Sequence, residues 1–339
     1  MRKLFFIFAL VSIYVRLPSA YALDLSKFEH WVFLGDSLSD TGNSLYLSRM
    51  FQIPQPQTPP YGNTYDSFGN LTANPLPGRW TDGKNWVDYL PDVAATFGGH
   101  FPPVTAFFPD PLNDDATNFA IGGATSGDVN VAIGAPYGFQ TQISAYVASL
   151  NGKSAANDLC VIWIGANDFA AGLATGNINP RATVENIRSG IALLSSVGAR
   201  TFIVINLPDI ALTPQVKAAP TIIQAARQFV FTVNILLEVE LLPFAWRQGI
   251  TVEIVDINRL FIPLVLNPVR FGFTNGSGFA LDPRTGGGDT NPNDYVFWDG
   301  FHPTTKAFKI AAEFIYKEIA SRRAFPEILR VPLARLHLR

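Results

Sequence analysis

Cysteine, histidine and charged residues are all scarce in this 339-residue chain, and each shortage narrows what it can do. Its only cysteine, Cys160, stands in the apolar run LCVIWIG, so no disulfide can form within the chain and a buried core must stabilise it. Neither a His-Glu-x-x-His motif nor a cysteine pair is present to bind zinc. The net charge of −2 offers no basic excess to neutralise phosphates. We therefore predict no metal, no other cofactor and no nucleic-acid partner.

A long apolar run of the kind that spans a membrane is also missing near the N-terminus. Residues 4–15 are apolar, but Arg16 ends the run well short of the roughly 20 residues that a spanning helix needs. A basic pair precedes this run and a small-x-small pattern follows it, as in signal peptides. We predict that residues 1–22 are a cleaved signal peptide and that the chain is secreted or periplasmic. No later stretch is expected to be long and apolar enough to span a bilayer, so we also expect no transmembrane segment in the mature chain.

What the chain does have is a series of short runs that are apolar at nearly every position. They are rich in β-branched and aromatic residues, which is typical of strands buried on both faces of a parallel sheet. The five runs are WVFLG (31–35), TNFAIG (117–122), LCVIWIG (159–165), TFIVIN (201–206) and TVEIVDI (251–257).

Segments with helical periodicity separate or follow these runs, at 182–198, 222–249 and 304–320. Alternation of strands and helices predicts an α/β fold, a three-layer α/β/α sandwich around a mainly parallel five-stranded sheet. We expect one such domain over residues 23–321 and a basic tail over 322–339. Two stretches rich in Gly, Pro and Asn, 51–80 and 261–297, are interpreted as ordered loops at a binding face.

Polar residues cluster where the predicted strands end. Ser37 follows the first run, the Gly122–Gly123 pair the second, and Asn167 the third, while Asp299 and His302 precede the last helix. Since the carboxyl ends of parallel strands meet at one edge of the sheet, these groups should lie together.

This set of residues fits acyl transfer. Ser37 would need a base, and His302 has an acidic residue three positions before it that could orient its ring. The N–H groups of Ser37 and Gly123 and the amide of Asn167 could stabilise an oxyanion. Taken alone, Ser37 could instead be a helix N-cap. The Gly-x-Ser-x-Gly motif of α/β-hydrolases is absent.

The same residues, in this order, resemble the GDSL lipases and esterases of the SGNH hydrolase superfamily. The matching blocks are spread, in the order typical of the family, over nearly all of the chain after residue 22. They are FLGDSLSDTGN (33–43), GRWTDGKNWVDYL (78–90), NFAIGGAT (118–125), GANDF (165–169) and WDGFHPT (298–304).

The resemblance implies a flavodoxin-like fold and a serine hydrolase of EC 3.1.1 type. It assigns the nucleophile to Ser37, the acid/base pair to Asp299 and His302, and the oxyanion donors to Ser37, Gly123 and Asn167. Gly122 is the alternative to Gly123, but the spacing from Asn118, at the start of the block NFAIGGAT, favours Gly123. Within the family the motifs look most like those of bacterial secreted phospholipases, lysophospholipases and acyltransferases.

We therefore expect hydrolysis of lipid esters, most simply by a lysophospholipase or phospholipase A. Acyl transfer from glycerophospholipid to cholesterol, carbohydrate deacetylation and non-catalytic lipid binding on the same fold remain alternatives. The basic tail could touch a membrane surface peripherally, or it could be a solvated terminus.

Residues beside the motifs have simpler interpretations. Asp36 and Asp40 are expected to shape or cap turns, and Asp168 to cap the turn after Asn167. Trp80 is interpreted as a packing residue.

Overall fold

The computed structural model describes residues 23–52, 63–65, 71–73, 76–108, 115–133, 136–281 and 291–320. The predicted signal peptide and basic tail lie outside the described residues, as does most of the stretch 53–75. The boundaries predicted for these segments stay predictions.

The centre of the fold is a six-stranded sheet in the order β4-β5-β1-β6-β7-β8, and every pair of neighbours in it is parallel. The α/β class is therefore as predicted, with one strand more than the five expected. The sheet is built from β1 (His30–Gly35), β4 (Thr105–Ala106), β5 (Ala116–Asn118), β6 (Asp158–Trp163), β7 (Thr201–Ile205) and β8 (Thr251–Val255).

The sixth strand, β4, escaped the sequence analysis because it holds only two residues, neither of them fully buried. Its pairing to β5 places it at one edge of the sheet. Two small pairs of strands lie outside the main sheet. They are β2 (Asn63–Tyr65) with β3 (Leu71–Ala73), antiparallel, and β9 (Asn275–Phe279) with β10 (Tyr295–Phe297), parallel.

Strand residues alternate between two cores because successive side chains point to opposite faces of a sheet. In β6, Cys160 and Ile162 belong to one hydrophobic cluster, whereas Val161 and Trp163 belong to the other. Both faces are therefore covered, which explains why these strands are apolar without a polar face.

Helices form the two outer layers. The periodic segments at 182–198, 222–249 and 304–320 are helical, as predicted. The helices are α1 (Asn43–Met50), α2 (Trp86–Thr96), α3 (Phe139–Ser149), α4 (Ala166–Thr175), α5 (Pro180–Ser196), α6 (Pro214–Lys217), α7 (Pro220–Leu236), α8 (Leu242–Gln248), α9 (Asn258–Leu266) and α10 (Thr305–Ala320). A π-helical turn, Leu237–Leu241, joins α7 to α8.

The continuous helix Pro220–Gln248 corrects one expectation from the sequence. By length and composition alone this helix could cross a membrane, since it contains an 18-residue stretch with a mean hydropathy of 1.6. Of that stretch, 33% is buried inside the protein. One of its faces packs on the core through Phe229, Val233 and Leu241. The statement that no later stretch is long and apolar enough was therefore wrong, while the absence of a transmembrane segment stays a prediction.

Candidate active site

The turn after β1 places Ser37 at the carboxyl edge of the sheet. The backbone N–H and C=O of Gly35 are both held by the buried amide of Gln142, whose Oε1 accepts from Gly35 N at 2.9 Å and whose Nε2 donates to Gly35 O at 2.7 Å. Gly35 lies opposite Trp163 in the parallel register of β1 and β6, so these two strands end level. The Ser37 side chain is thereby presented at a fixed point, with only 9% of the residue exposed.

Ser37, His302 and Asp299 form a continuous hydrogen-bonded chain. His302 Nε2 lies 2.9 Å from Ser37 Oγ, and His302 Nδ1 lies 2.7 Å from Asp299 Oδ2. The other carboxylate oxygen, Oδ1, accepts the N–H groups of Phe301 and His302 at 2.8 and 2.7 Å. With Nδ1 donating to Asp299, Nε2 is free to accept the serine proton.

Asp299 is suited to remain ionised. Burial by itself would raise the pKa of its carboxyl, but the charge of His302 and the hydrogen bonds from His302 and Phe301 outweigh burial and hold that pKa below its usual value. An ionised carboxylate at this place would stabilise an imidazolium on His302.

The two aspartates beside the serine shape its turn, as expected. Asp36 Oδ1 accepts from Leu38 N at 3.1 Å, and burial raises the pKa of Asp36 to about 7. Asp40 accepts the N–H groups at the start of α1 and, through Oδ2, the N–H of Gly122 at 2.8 Å. Asp40 thus ties the turn carrying the serine to the glycine pair.

Gly123 adopts a backbone conformation that favours glycine, with φ at +81°. A Cβ there would approach Asn130 Oδ1 to 2.6 Å and Ala132 Cβ to 2.5 Å. Asn130 also donates to Gly122 O at 2.9 Å, and Gly123 O accepts from Val131 N at 2.8 Å. Both neighbouring carbonyls are thus engaged, which fixes the peptide group that carries the Gly123 N–H.

Two of the three predicted oxyanion donors are uncommitted. Among the described residues, neither Ser37 N–H nor Gly123 N–H has a hydrogen-bond acceptor. Asn167 Nδ2 donates one hydrogen to Ala124 O at 3.0 Å, which orients the amide and leaves its second hydrogen for a ligand. The structure assembles Ser37, Gly123, Asn167 and His302 around one cavity.

Asp168 does not cap its own turn, in contrast to the sequence interpretation. Its carboxylate reaches across to Ser126, accepting from the backbone N at 2.8 Å, and also accepts from Thr183 Oγ1 at 3.2 Å. It therefore connects the N-terminus of α4, which carries Asn167, to the loop that follows Gly123. The tertiary position of Ser126 could not be inferred from local spacing.

Three residues of this region were missed or understated by sequence reasoning: Gln142, Asn130 and Trp80. The first two are buried amides that hold the backbone of the site. Asn130 stands between two valines in the sequence, whereas Gln142 lies among polar residues and carries no such signal. Trp80 was expected only to pack, yet its ring lies beside His302, with ring centroids 5.2 Å apart.

The arrangement supplies a nucleophile, a base with an orienting carboxylate, and donors for a developing oxyanion, which together suit acyl transfer. Within the described ranges, no group of three or more His, Cys, Asp or Glu side chains is placed to hold a metal ion. Burial, together with the charge of Asp158, raises the pKa of the Cys160 thiol and keeps it protonated in the core.

Comparison with known proteins finds several distant relatives of this chain. The thermolabile hemolysin of Vibrio parahaemolyticus is 26% identical over 305 residues, covering 83% of this chain but only 62% of the hemolysin. An acetylesterase of Thermothelomyces thermophilus is 27% identical over 321 residues, covering 87% of this chain and 89% of the esterase. A solved acetylxylan esterase from Geobacillus stearothermophilus aligns with 86% of this chain and 94% of its own, at 17% identity and a TM-score of 0.43.

A family model described as GDSL-like Lipase/Acylhydrolase matches residues 32–315. This range begins at β1, includes every block quoted above and ends inside α10. The chain therefore belongs to the GDSL-like lipase/acylhydrolase family and is a serine ester hydrolase.

Proposed function

We propose that this protein hydrolyses carboxylic esters of lipids, as a lysophospholipase or phospholipase A, through an acyl-enzyme on Ser37. The observation that carries the proposal is the cavity beside the serine, with a volume of about 280 Å³. Its size is near the lower end of pockets that bind small organic ligands.

The wall of this cavity is almost entirely apolar away from the serine. It runs under α9 and α10 toward the sheet and is formed there by Ile257, Leu260, Phe261, Leu264, Phe308 and Ala311. A hydrocarbon chain bound there would transfer its apolar surface from water to the apolar wall. This transfer is favourable by a free energy of about 25 cal/mol per Å² buried. An acetyl group is too small to contact most of this wall.

In the proposed mechanism, His302 Nε2 takes the proton of Ser37 Oγ as that oxygen attacks the ester carbonyl. Asp299 stabilises the imidazolium that forms. The oxyanion is bound by the N–H groups of Ser37 and Gly123 and by the amide of Asn167. His302 then protonates the departing alcohol, which leaves the acyl group on Ser37.

Deacylation repeats these steps with water as the nucleophile. His302 takes a proton from the water, the hydroxide attacks the acyl carbonyl, and Ser37 Oγ leaves with the proton from His302. The fatty acid is released and the serine is restored. If an alcohol such as a sterol replaced water, the same residues would transfer the acyl group.

The proposal includes export, which rests on the composition of residues 1–22. The predicted cleavage would give a mature chain starting at Leu23. Peripheral contact of the basic tail with a membrane is a further part of the proposal. Both segments lie outside the described residues.

The experiment is product analysis on matched acyl series. Purified protein and its Ser37→Ala variant are incubated with lysophosphatidylcholine, diacyl phosphatidylcholine with and without cholesterol, and p-nitrophenyl esters from acetate to palmitate. We expect fatty acid release that rises with acyl length, and a loss of at least about 10³-fold in Ser37→Ala with an unchanged unfolding temperature.

Other outcomes separate the alternatives. Turnover confined to acetyl esters would overturn the lipid proposal in favour of deacetylation, the activity in the name of the Thermothelomyces relative. Cholesteryl ester formation would assign acyl transfer. Undiminished activity in Ser37→Ala would refute the mechanism itself.

A further inference from the structure

Asn130 lies in the loop that follows the glycine pair, and its fully buried side-chain amide makes four hydrogen bonds. Its Nδ2 donates to Gly122 O at 2.9 Å and to Tyr137 O at 3.3 Å. Its Oδ1 accepts from Ala132 N at 2.9 Å and from Ile133 N at 3.1 Å. Because two backbone N–H groups require the oxygen of the amide on their side, the nitrogen must face Gly122 O.

The carbonyl that Asn130 holds belongs to the peptide group that carries the Gly123 N–H. A peptide group in its usual trans form directs its C=O and its N–H to opposite sides, so this N–H points away from Asn130. Gly123 lines the cavity together with Ser37 and Asn167, and its N–H has no acceptor among the described residues. A hydrogen bond on one side of this peptide group therefore sets the direction of a donor on its other side.

Without that hydrogen bond, the peptide group could turn over with little steric resistance, because it joins two glycines. The backbone on either side of it is fixed. Gly122 N donates to Asp40 Oδ2 at 2.8 Å, and Gly123 O accepts from Val131 N at 2.8 Å. Among the described residues, the peptide group between these two points has one hydrogen bond, the one from Asn130. A turned peptide would direct a carbonyl oxygen, instead of an N–H, at the substrate.

We propose that Asn130 is a positioning residue for ester hydrolysis, which acts through the peptide group between Gly122 and Gly123. Its hydrogen bond keeps the Gly123 N–H directed at the oxyanion and polarises the peptide group, so that this N–H donates more strongly. A carbonyl turned toward the developing negative charge would repel it. Loss of the Asn130 donor therefore acts on the transition state rather than on substrate binding. The inference rests on the proposed function for the oxyanion site, but not for the length of the acyl chain.

The variant Asn130→Asp tests the donor by itself. Aspartate has nearly the same shape and keeps one oxygen for Ala132 N and Ile133 N, but its second oxygen would face Gly122 O and repel it. An assay at about pH 9 favours the ionised form of the introduced carboxyl. We expect kcat for p-nitrophenyl butyrate to fall by about 10²-fold, with KM within about threefold of wild type.

A second substrate shows whether the loss arises at the oxyanion. In the thionoester of butyric acid with p-nitrophenol, sulfur replaces the carbonyl oxygen and accepts hydrogen bonds more weakly. The wild-type protein should favour the oxygen ester in kcat/KM by about 10²-fold or more, and Asn130→Asp should reduce this preference to within about tenfold. General damage to the fold would lower both rates and leave their ratio unchanged.

Asn234 offers a matched control away from the catalytic cavity. Its Nδ2 donates to Leu207 O at 2.8 Å and its Oδ1 accepts from Leu207 N at 2.9 Å, so Asn234→Asp also removes a donor from a backbone carbonyl. Asn234 lines a separate groove with Phe231 and Ile262. We expect Asn234→Asp to lower the unfolding temperature while leaving kcat and the preference for the oxygen ester as in the wild type.

Two results with these proteins would overturn the inference. One is a folded Asn130→Asp protein whose kcat and preference for the oxygen ester match those of the wild type. The other is a lower kcat with the preference intact, which would assign Asn130 to the support of the loop alone. Because both substrates are butyrates, failure here is separate from failure of the long-chain preference.

The wild-type protein provides the test if Asn130→Asp does not fold. An alkyl boronic acid forms a tetrahedral adduct with Ser37 and places a negatively charged group beside the oxyanion donors. NMR of protein labelled at glycine and asparagine should then show the Gly123 N–H and the Asn130 side-chain N–H shifting downfield together, since polarisation passes through the shared peptide group. A shift at Gly123 without one at Asn130 would overturn the inference.

Discussion

At the scale of single residues, Asp36 and Asp299 show how burial acts on two carboxyls of one site. The cost of burying the Asp299 carboxylate is outweighed by its interactions with His302 and with two backbone N–H groups. Its pKa therefore lies below the usual value. The Asp36 carboxylate accepts from one backbone N–H among the described residues, that of Leu38, and burial raises its pKa to about 7. Above that pH the folded protein must hold an ionised Asp36 with little compensation.

A pH-dependent stability follows from Asp36. Since its pKa is raised from 3.8 to about 7 in the folded chain, the folded state binds the extra proton between these values. The free energy of unfolding therefore falls as pH rises through this range, and the loss is complete above about pH 8. Removing the charge should remove this loss.

We predict that Asp36→Asn becomes more stable relative to wild type as pH rises from 4 to 8. The change in the difference between their free energies of unfolding should be about 2–4 kcal/mol, since one pKa unit corresponds to about 1.4 kcal/mol. Urea unfolding at both pH values measures it, with Asp128→Asn at an exposed position as control. A difference that does not change with pH would contradict the raised pKa.

At the scale of elements, α9 and α10 determine what the cavity can hold. Leu260, Phe261 and Leu264 of α9 face Phe308 and Ala311 of α10 across its apolar part. Ser37, Gly123 and Asn167 come from other segments of the chain, and Ala311 lies well inside α10, away from His302, which precedes that helix. The acyl-length preference should therefore change without loss of the chemistry.

The prediction concerns Ala311, which lines the cavity with a small side chain. Ala311→Leu should fill part of it and lower kcat/KM for a p-nitrophenyl laurate by about tenfold relative to p-nitrophenyl butyrate. Lys309→Leu, on the exposed side of the same helix, should leave the ratio unchanged. Laurate and butyrate rates that fall together in Ala311→Leu would argue against acyl binding under α10.

The elements also show how far the sequence could be interpreted. Strands β1, β5, β6, β7 and β8 were predicted, and in the central strands β1, β6 and β7 this is because burial on both faces gives an unbroken apolar run. The edge strand β4 was not, since its pairing to β5 depends on tertiary contact rather than on a pattern in two residues. The parallel pair β9 and β10 fell within the stretch 261–297, interpreted only as a loop.

The same limit applies to the site. Ser37, Asp299 and His302 were located by motif and by the scarcity of histidine, and the structure brings them within hydrogen-bonding distance. Asn130 and Gln142, whose side-chain amides hydrogen-bond the backbone of the site, could not be found in this way. A buried amide is recognisable only when the peptide group it pairs with is known.

At the scale of the whole molecule, the chain uses a single parallel sheet to bring distant segments to one edge. Ser37 and His302 are 265 positions apart in sequence and 2.9 Å apart in space. The level ends of β1 and β6 and the bond from Asp40 to Gly122 fix three of the segments relative to one another. The central claim is that this edge holds one nucleophile, Ser37.

Active-site labelling tests this claim most directly. The full chain is treated with an alkyl fluorophosphonate, and the adduct is mapped by peptide mass spectrometry while esterase activity is followed. We predict one adduct per chain, on Ser37, formed in step with the loss of activity and absent from Ser37→Ala. An adduct on another residue that accompanies inactivation, or activity that persists after Ser37 is fully labelled, would contradict the account.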